Sequence, residues 1–208
     1  MSNSQKNSER WDIALAQRKE EPFVYTYQHY YDMPDDGNRY EIIDGEMLMM
    51  AAPSRQHQWV LGEMAYLFTH FFRGKRCKVV VAPFDVRLAL YGEKKGKETN
   101  VVQPDLMVFC SRDQVDEKGG KAAPDFVAEI LSQSTKNRDR QKKKRIYEKA
   151  GVREYWIVDG KKETIEAYEH DGKKFGPKKY YKKSDKVVSA VFEDFEINVA
   201  DIFFDPLA

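Results

Sequence analysis

Apolar residues recur along the chain with the periods of strands and helices. Residues 40–50 form two apolar runs around Asp44 and Gly45, and this pair favours a tight hairpin because its turn requires positive φ angles. After Ser54, which can cap a helix, apolar residues recur at helical spacing as far as Gly74. They predict a helix that packs one stripe on a sheet through Val60, Leu61, Met64, Leu67, Phe68 and Phe71.

The second half of the chain predicts a β-α-β unit. Strand, helix and strand are expected over residues 126–131, 135–150 and 154–158. Short connections and strongly apolar strands favour parallel pairing in a buried sheet. Residues 79–90 and 101–110 predict two earlier strands, each interrupted by a proline. This order predicts an α/β fold with a mixed central β-sheet flanked by helices.

Length and composition indicate one globular domain. The chain has 208 residues, of which 41% are hydrophobic and 13% aromatic. Residues 1–22 are charged and are interpreted as a polar N-terminal extension, helical in part over 11–18, so the domain is expected over 23–208. The polar N-terminus is no secretory signal, and no apolar run reaches the roughly 20 residues that cross a bilayer. We therefore expect a cytoplasmic protein without a membrane partner.

The cysteines and the net charge narrow the function classes. Cys77 and Cys110 are distant in sequence, and neither belongs to a CxxC pair, so two thiols in a reducing cytosol are expected rather than a disulfide or a zinc site. Charged residues make up 33% of the chain, but the net charge is only +1. Nucleic-acid binding would therefore depend on local basic patches, of which residues 136–149 and 173–183 are the candidates. For the second patch, a solvated edge strand is the favoured interpretation.

Two acids inside apolar strands are the first candidates for chemistry. Asp105 and Glu129 each interrupt an apolar run, and a buried carboxylate is costly unless it is paired or binds a cation. On neighbouring strands of one sheet, their oxygens could converge on Mg²⁺, which prefers oxygen ligands and keeps several waters. The alternative is two acids that pair with arginines or face solvent, and these two residues alone do not decide between the interpretations.

The basic helix after Glu129 favours the metal-site interpretation. Lys136, Lys143 and Tyr147 fall near one face, and an ammonium from this face could reach Glu129. In phosphodiester hydrolysis it would position the attacking water or offset charge on phosphoryl oxygens. Most lysines of such a run form a solvated face, so only one is expected to serve the site.

Glu46 and His57 are further candidates with open alternatives. Glu46 follows the hairpin turn and is either a further metal-site carboxylate or an exposed hairpin residue. His57 lies one turn into its helix, at the end of the apolar stripe. A histidine at the end of such a stripe is more often a structural hydrogen-bonding group than a metal ligand. No phosphate-binding loop, dinucleotide fingerprint or zinc-protease motif is found in the sequence.

Seven motifs in order resemble the Uma2 family, which is assigned to the restriction-endonuclease-like, PD-(D/E)xK nuclease superfamily. The resemblance covers roughly residues 23–205. The motifs are residues 40–46, Pro53 and Ser54 with His57, Pro104 and Asp105, residues 124–132, Ser134 and Thr135, Asp139 and Arg140 with Lys143 and Tyr147, and residues 150–159.

The resemblance implies a metal-dependent nuclease core. Asp105 would be the aspartate of the motif, Glu129 its second acid and Glu46 the acid that precedes the core, with His57 as a companion. Leu131 stands where the superfamily pattern expects lysine, and Lys143 matches the family position that replaces it.

These observations predict an endonuclease that hydrolyses nucleic acid, with DNA as the expected substrate, by means of water activated by Mg²⁺ or, as an alternative ion, Mn²⁺. Its metal ligands would be Asp105, Glu129 and Glu46. The first alternative is a catalytically silent protein of the same fold that binds nucleic acid or another partner. A weaker one is a phosphodiesterase for small molecules. Methionine-rich and aromatic faces suggest a homodimer, although the same residues would also suit the core: Met47, Met49, Phe71 and Phe72.

Overall fold

The computed structural model describes residues 22–90, 92–132, 135–205 and 207. The expected helix over residues 11–18 lies outside this part of the chain. One of the helices consists of three consecutive segments, of which the middle one is a π-helix. The elements are α1 (Tyr27–Tyr31), β1 (Tyr40–Ile43), β2 (Glu46–Met49), α2 (Arg55–Phe72), β3 (Lys78–Val81), β4 (Val86–Arg87), β5 (Val101–Val102), β6 (Leu106–Phe109), a 3₁₀ turn (Arg112–Gln114), β7 (Val115–Asp116), β8 (Gly119–Gly120), β9 (Phe126–Ile130), α3 (Lys136–Arg138, Asp139–Lys143 and Lys144–Ala150), β10 (Glu154–Asp159), β11 (Thr164–Glu169), β12 (Lys179–Lys182), β13 (Lys186–Val188), β14 (Glu196–Asn198) and α4 (Val199–Ile202).

Two larger sheets and one β-hairpin organise the described residues. The first sheet has the order β2-β1-β5-β4-β8-β7, the second has the order β12-β11-β10-β9-β6-β3, and β13 pairs with β14. In the second sheet β9 and β10 run parallel, whereas β6 and β11 flank them in antiparallel orientation. The predicted mixed sheet flanked by helices is therefore confirmed.

The hairpin and the first long helix form where the sequence predicts them. Asp44 and Gly45 have φ angles of 51° and 78° and connect β1 to β2, as the primed turn requires. The hydroxyl oxygen of Ser54 accepts a hydrogen bond from the backbone N–H of His57 and so caps α2.

Helix α2 packs its apolar stripe against the second sheet. Phe68 is fully buried, with ring centroids 5.0 Å from Phe126 and 4.6 Å from Phe195. Phe71 and Phe72 pack in the same core, which accounts for them without a partner subunit. Met49 is exposed on β2. Among the described residues, no helix has the length and apolarity that a membrane crossing needs.

Prolines divide both predicted early strands between the two sheets. The expected strand over residues 79–90 becomes β3 and β4, on either side of the Ala82–Pro83 bond, which is cis. The expected strand over 101–110 becomes β5 and β6, separated at Gln103 and Pro104. Because β5 belongs to the first sheet and β6 to the second, Asp105 lies where the chain passes from one sheet to the other.

The expectation of two free thiols is wrong, because Cys77 and Cys110 form a disulfide. Strands β3 and β6 are antiparallel neighbours that pair Lys78 with Phe109. Continuation of this register by one residue places the two cysteines opposite each other, with their Cα atoms 4.1 Å apart. The bond therefore follows from strand pairing, which sequence spacing did not reveal.

Candidate active site

Asp105 is held at the junction of the two sheets by two hydrogen bonds to one oxygen. Its Oδ2 accepts from the backbone N–H of Ile130 at 2.7 Å and lies 3.2 Å from Nε2 of His57. The first contact arises because β6 and β9 pair Leu106 with Ala128. His57 comes from the first turn of α2, so three elements fix the orientation of this carboxylate.

Glu129 projects from β9 into a buried contact with α3. Its Oε1 accepts from Nζ of Lys143 at 2.8 Å and from the hydroxyl of Tyr147 at 2.6 Å. Both partners are buried, and the Lys143 side chain is only 3% exposed. The structure thus brings Glu129 and Lys143 together, as the sequence predicted for one lysine of this helix.

The π-helical segment explains how α3 directs several polar groups inward. Asp139, Lys143 and Tyr147 are spaced by four residues and all are buried. In a regular α-helix of 3.6 residues per turn, eight residues would rotate Tyr147 away from Asp139 by about 80°. The wider turn of the π-helix reduces this rotation, and such segments are frequent at functional sites.

Glu41 is a member of this cluster that sequence reasoning missed. It is fully buried on β1, and its Oε1 accepts from Nζ of Lys143 at 2.7 Å and from the backbone N–H of Gln103 at 3.0 Å. Its Oε2 is buried and has no hydrogen-bond partner in the described part of the chain, and Nη2 of Arg138 lies 3.9 Å away. The available signal was an acid inside the apolar run Tyr-Glu-Ile-Ile, the pattern that had selected Asp105 and Glu129.

Glu46 is not brought into the cluster. Its side chain is 58% exposed, and its Oε2 contacts Nζ of Lys142 at 2.8 Å. Strand β1 reaches the site through Glu41, whereas Glu46 begins β2 on the far side of the turn. The acid that β1 and β2 contribute beside Lys143 is therefore Glu41.

The buried cluster contains more negative than positive charge. Four carboxylates belong to it, Glu41, Asp105, Glu129 and Asp139, against the cations of Lys143 and Arg138, so the formal charges sum to two negative.

Burial and the excess charge both act on the titration of these groups. Burial raises the pKa of Glu129 well above its usual value, although Lys143 opposes the shift. Burial also raises the pKa of Asp139, again against Lys143. For Lys143 burial alone would lower the pKa, but Glu129 and Glu41 raise it well above its ordinary value. Lys143 is therefore a permanent ammonium at neutral pH.

A small cleft opens onto these groups and offers oxygen donors to a cation. Its volume is about 80 Å³, and Asp105, Glu129, Asp139 and Lys143 lie on its wall. Among the residues that the structure describes, the hydrogen bonds of Asp105 and Glu129 fall on Oδ2 and Oε1, which leaves Oδ1 and Oε2 for a ligand. Within the described residues, no group of three or more acidic, histidine or cysteine side chains is placed to hold a metal ion. Mg²⁺ needs only one or two carboxylates because it keeps several waters, so the donor set fits this ion.

Comparison with known proteins agrees with the fold. A family model named Uma2 and described as "Putative restriction endonuclease" matches residues 27–200. A search of curated proteins finds no match.

Among solved structures, a crystal structure of a "putative nuclease belonging to DUF820" from Anabaena variabilis is similar, with a TM-score of 0.70. The two chains are 19% identical, and the similarity covers 86% of this chain and 97% of the other. At that identity, the likeness shows a shared fold.

Proposed function

The chain belongs to the Uma2 family of restriction-endonuclease-like proteins, and from this premise we propose that it is an endonuclease that hydrolyses phosphodiester bonds of DNA with a bound Mg²⁺ or Mn²⁺ ion. The observation that carries the proposal is the buried cluster around Lys143, where four carboxylates face two cations. Such an excess of negative charge favours uptake of a divalent cation.

Asp105 and Glu129 would hold the ion through Oδ1 and Oε2, the two oxygens that accept no hydrogen bond from the described part of the chain. The bound ion would polarise the phosphate and lower the pKa of a water molecule at the cleft. His57 and the Ile130 N–H keep Asp105 from rotating away. The rigid placement of these acids matters because catalysis gains from donors that need no reorganisation during the reaction.

Lys143 would act as a fixed positive charge and not as a base. Its raised pKa keeps the ammonium protonated, so it can offset charge on the phosphoryl oxygens or orient the attacking water. Glu129 and Glu41 hold it at 2.8 and 2.7 Å, and Tyr147 donates to the same Glu129 oxygen. Glu41 lies behind Lys143, so its part would be to position this ammonium.

Removal of metal should abolish cleavage. We expect purified protein to cut a DNA duplex with Mg²⁺ or Mn²⁺, to stop with excess EDTA and to recover when the ion is restored, because the two carboxylates alone cannot activate water. Gel analysis of labelled DNA measures this. A parallel reaction with bis(p-nitrophenyl) phosphate shows whether the centre cleaves a small diester. Absence of cleavage for both substrates, together with no metal-induced rise in melting temperature, would count against the proposal.

Glu41→Gln should lower the cleavage rate by about 10²-fold, because a neutral amide oxygen holds the Lys143 ammonium more weakly than the carboxylate does, and small misplacements of a catalytic group are this costly. Glu46→Gln is the matched control from the same hairpin. The cleavage rate of Glu46→Gln should stay within about twofold of the wild-type rate, because an exposed ion pair contributes little to stability. The measurement is initial rate at saturating metal. Equal losses for both variants would contradict the assignment of Glu41.

A further inference from the structure

A second, larger cavity lies beside the candidate reaction centre. Its volume is about 470 Å³, and Ser132 lies on the walls of both this cavity and the cleft. The cavity is formed at the carboxyl ends of β9 and β10, because Ser132 follows β9 and Asp159 ends β10. In parallel sheets these ends meet at one edge, where ligands commonly bind.

The walls of this cavity are basic, in contrast to those of the cleft. Three lysines and one arginine line it, with one carboxylate, so the formal charges sum to three positive. The charged residues are Lys136, Arg140, Lys161, Lys162 and Asp159. Since the whole chain carries a net charge of only +1, positive charge is concentrated here.

The basic groups are held by fixed elements. Oδ1 of Asp159 accepts from the backbone N–H groups of Lys161 and Lys162 at 3.2 and 3.1 Å, which fixes the turn that carries both lysines. Arg140 donates through Nε and Nη2 to Oε1 of Glu166 at 3.0 and 2.8 Å. Lys136 and Lys162 are exposed and come from two different elements, α3 and the β10–β11 turn.

We propose that this cavity, called here the basic cavity and lined by Lys136, Asn137, Lys161 and Lys162, binds a backbone phosphate of the nucleic-acid strand whose neighbouring diester lies in the cleft. The inference rests on the proposed function. A polyanion that approaches a cleft with excess negative charge is repelled unless cations next to the cleft hold the adjacent phosphates. The basic cavity provides such cations, and Ser132 marks where it meets the cleft.

The test is charge reversal of the two exposed lysines, measured as binding without turnover. In an Asp105→Ala background, Lys136→Glu/Lys162→Glu should weaken binding of a fluorescein-labelled duplex of about 20 base pairs by about tenfold at low salt. The slope of log affinity against log salt should fall by about one, because the loss of one phosphate contact removes about 0.9. Fluorescence anisotropy over a salt series gives both values.

Lys173→Glu/Lys174→Glu is the matched control. These exposed lysines change the net charge equally but lie after β11, whose pairing of Glu169 with Glu154 places them at the opposite end of β10 from Asp159. Affinity and slope should be unchanged in this variant. Equal losses in the two variants, or no loss in either, would overturn the inference.

Two further outcomes separate this inference from the proposed function. Wild-type protein that hydrolyses bis(p-nitrophenyl) phosphate with Mg²⁺, paired with an Asp105→Ala variant that binds no DNA, would overturn the basic cavity and keep the metal-dependent centre. Lysine-dependent DNA binding by a protein that hydrolyses neither substrate would support the basic cavity and reject the nuclease.

Discussion

Asp105→Asn should reduce the rate of metal-dependent DNA cleavage by about 10³-fold, a loss of about 4 kcal/mol in transition-state stabilisation. The amide oxygen can still accept from the Ile130 N–H, so the side chain keeps its place while its charge is lost. The protein should keep its melting temperature, because the change removes one negative charge from a cluster that has two in excess. Single-turnover cleavage at saturating Mg²⁺ measures the first effect, and thermal unfolding measures the second.

Asp113→Asn is the matched control for this substitution. Asp113 is an exposed aspartate of the 3₁₀ turn, so the same chemical change there should leave cleavage unaltered. A cleaving Asp105→Asn variant would show that the ion is held elsewhere. A variant that is inactive because it has unfolded would be recognised from its melting temperature.

Local patterns allowed much of the fold to be predicted. The Asp44–Gly45 turn, the Ser54 cap and the β-α-β unit depend on residues close in sequence, and all three are found. The pairing of Cys77 with Cys110 depends on the register of β3 against β6, which no local pattern specifies.

The acids of the candidate site also show that local patterns do not reveal contacts between distant elements. Asp105 and Glu129 were identifiable because each interrupts an apolar run of the sequence. Asp105 directly precedes β6, and β6 is the neighbour of the strand that carries Glu129. Glu41 also interrupts an apolar strand, but β1 pairs with β5 in the other sheet. Its approach to Lys143 is therefore a contact between the first sheet and helix α3. The resemblance to the Uma2 family had pointed to Glu46 as the acid that precedes the core. Glu41, five residues earlier, also precedes the core, so the sequence did not distinguish the two.

The face of α3 was predictable only in part. A regular helix explains why Asp139 lies beside Lys143 and Lys143 beside Tyr147, since residues four apart are neighbours. It would still rotate Tyr147 from Asp139 by about 80°, and the π-helical segment reduces this angle. Sequence periodicity assumes 3.6 residues per turn, so a local change of helix type is invisible to it.

Lys143→Met should destabilise the protein by about 3–5 kcal/mol. Methionine keeps the unbranched apolar stem but removes the ammonium that lies 2.7 Å from Glu41 and 2.8 Å from Glu129. Removal of one partner from a buried ion pair strongly destabilises a protein, because the other charge stays buried without compensation. Urea unfolding followed by circular dichroism, with EDTA present so that no metal ion contributes, measures the free energy of unfolding.

Lys142→Met, the preceding residue of the same helix, is the control. Lys142 is 48% exposed and contacts Glu46 at 2.8 Å, so its loss should cost at most about 1 kcal/mol. Both variants replace one lysine by methionine, and they differ in whether the replaced side chain is exposed or buried. Addition of Glu129→Gln to Lys143→Met should recover part of the loss, because one unpaired carboxylate is removed, and the two changes should therefore be non-additive. A Lys143→Met variant as stable as Lys142→Met would show that the buried carboxylates do not depend on this ammonium, and the electrostatic account of the site would fail with it.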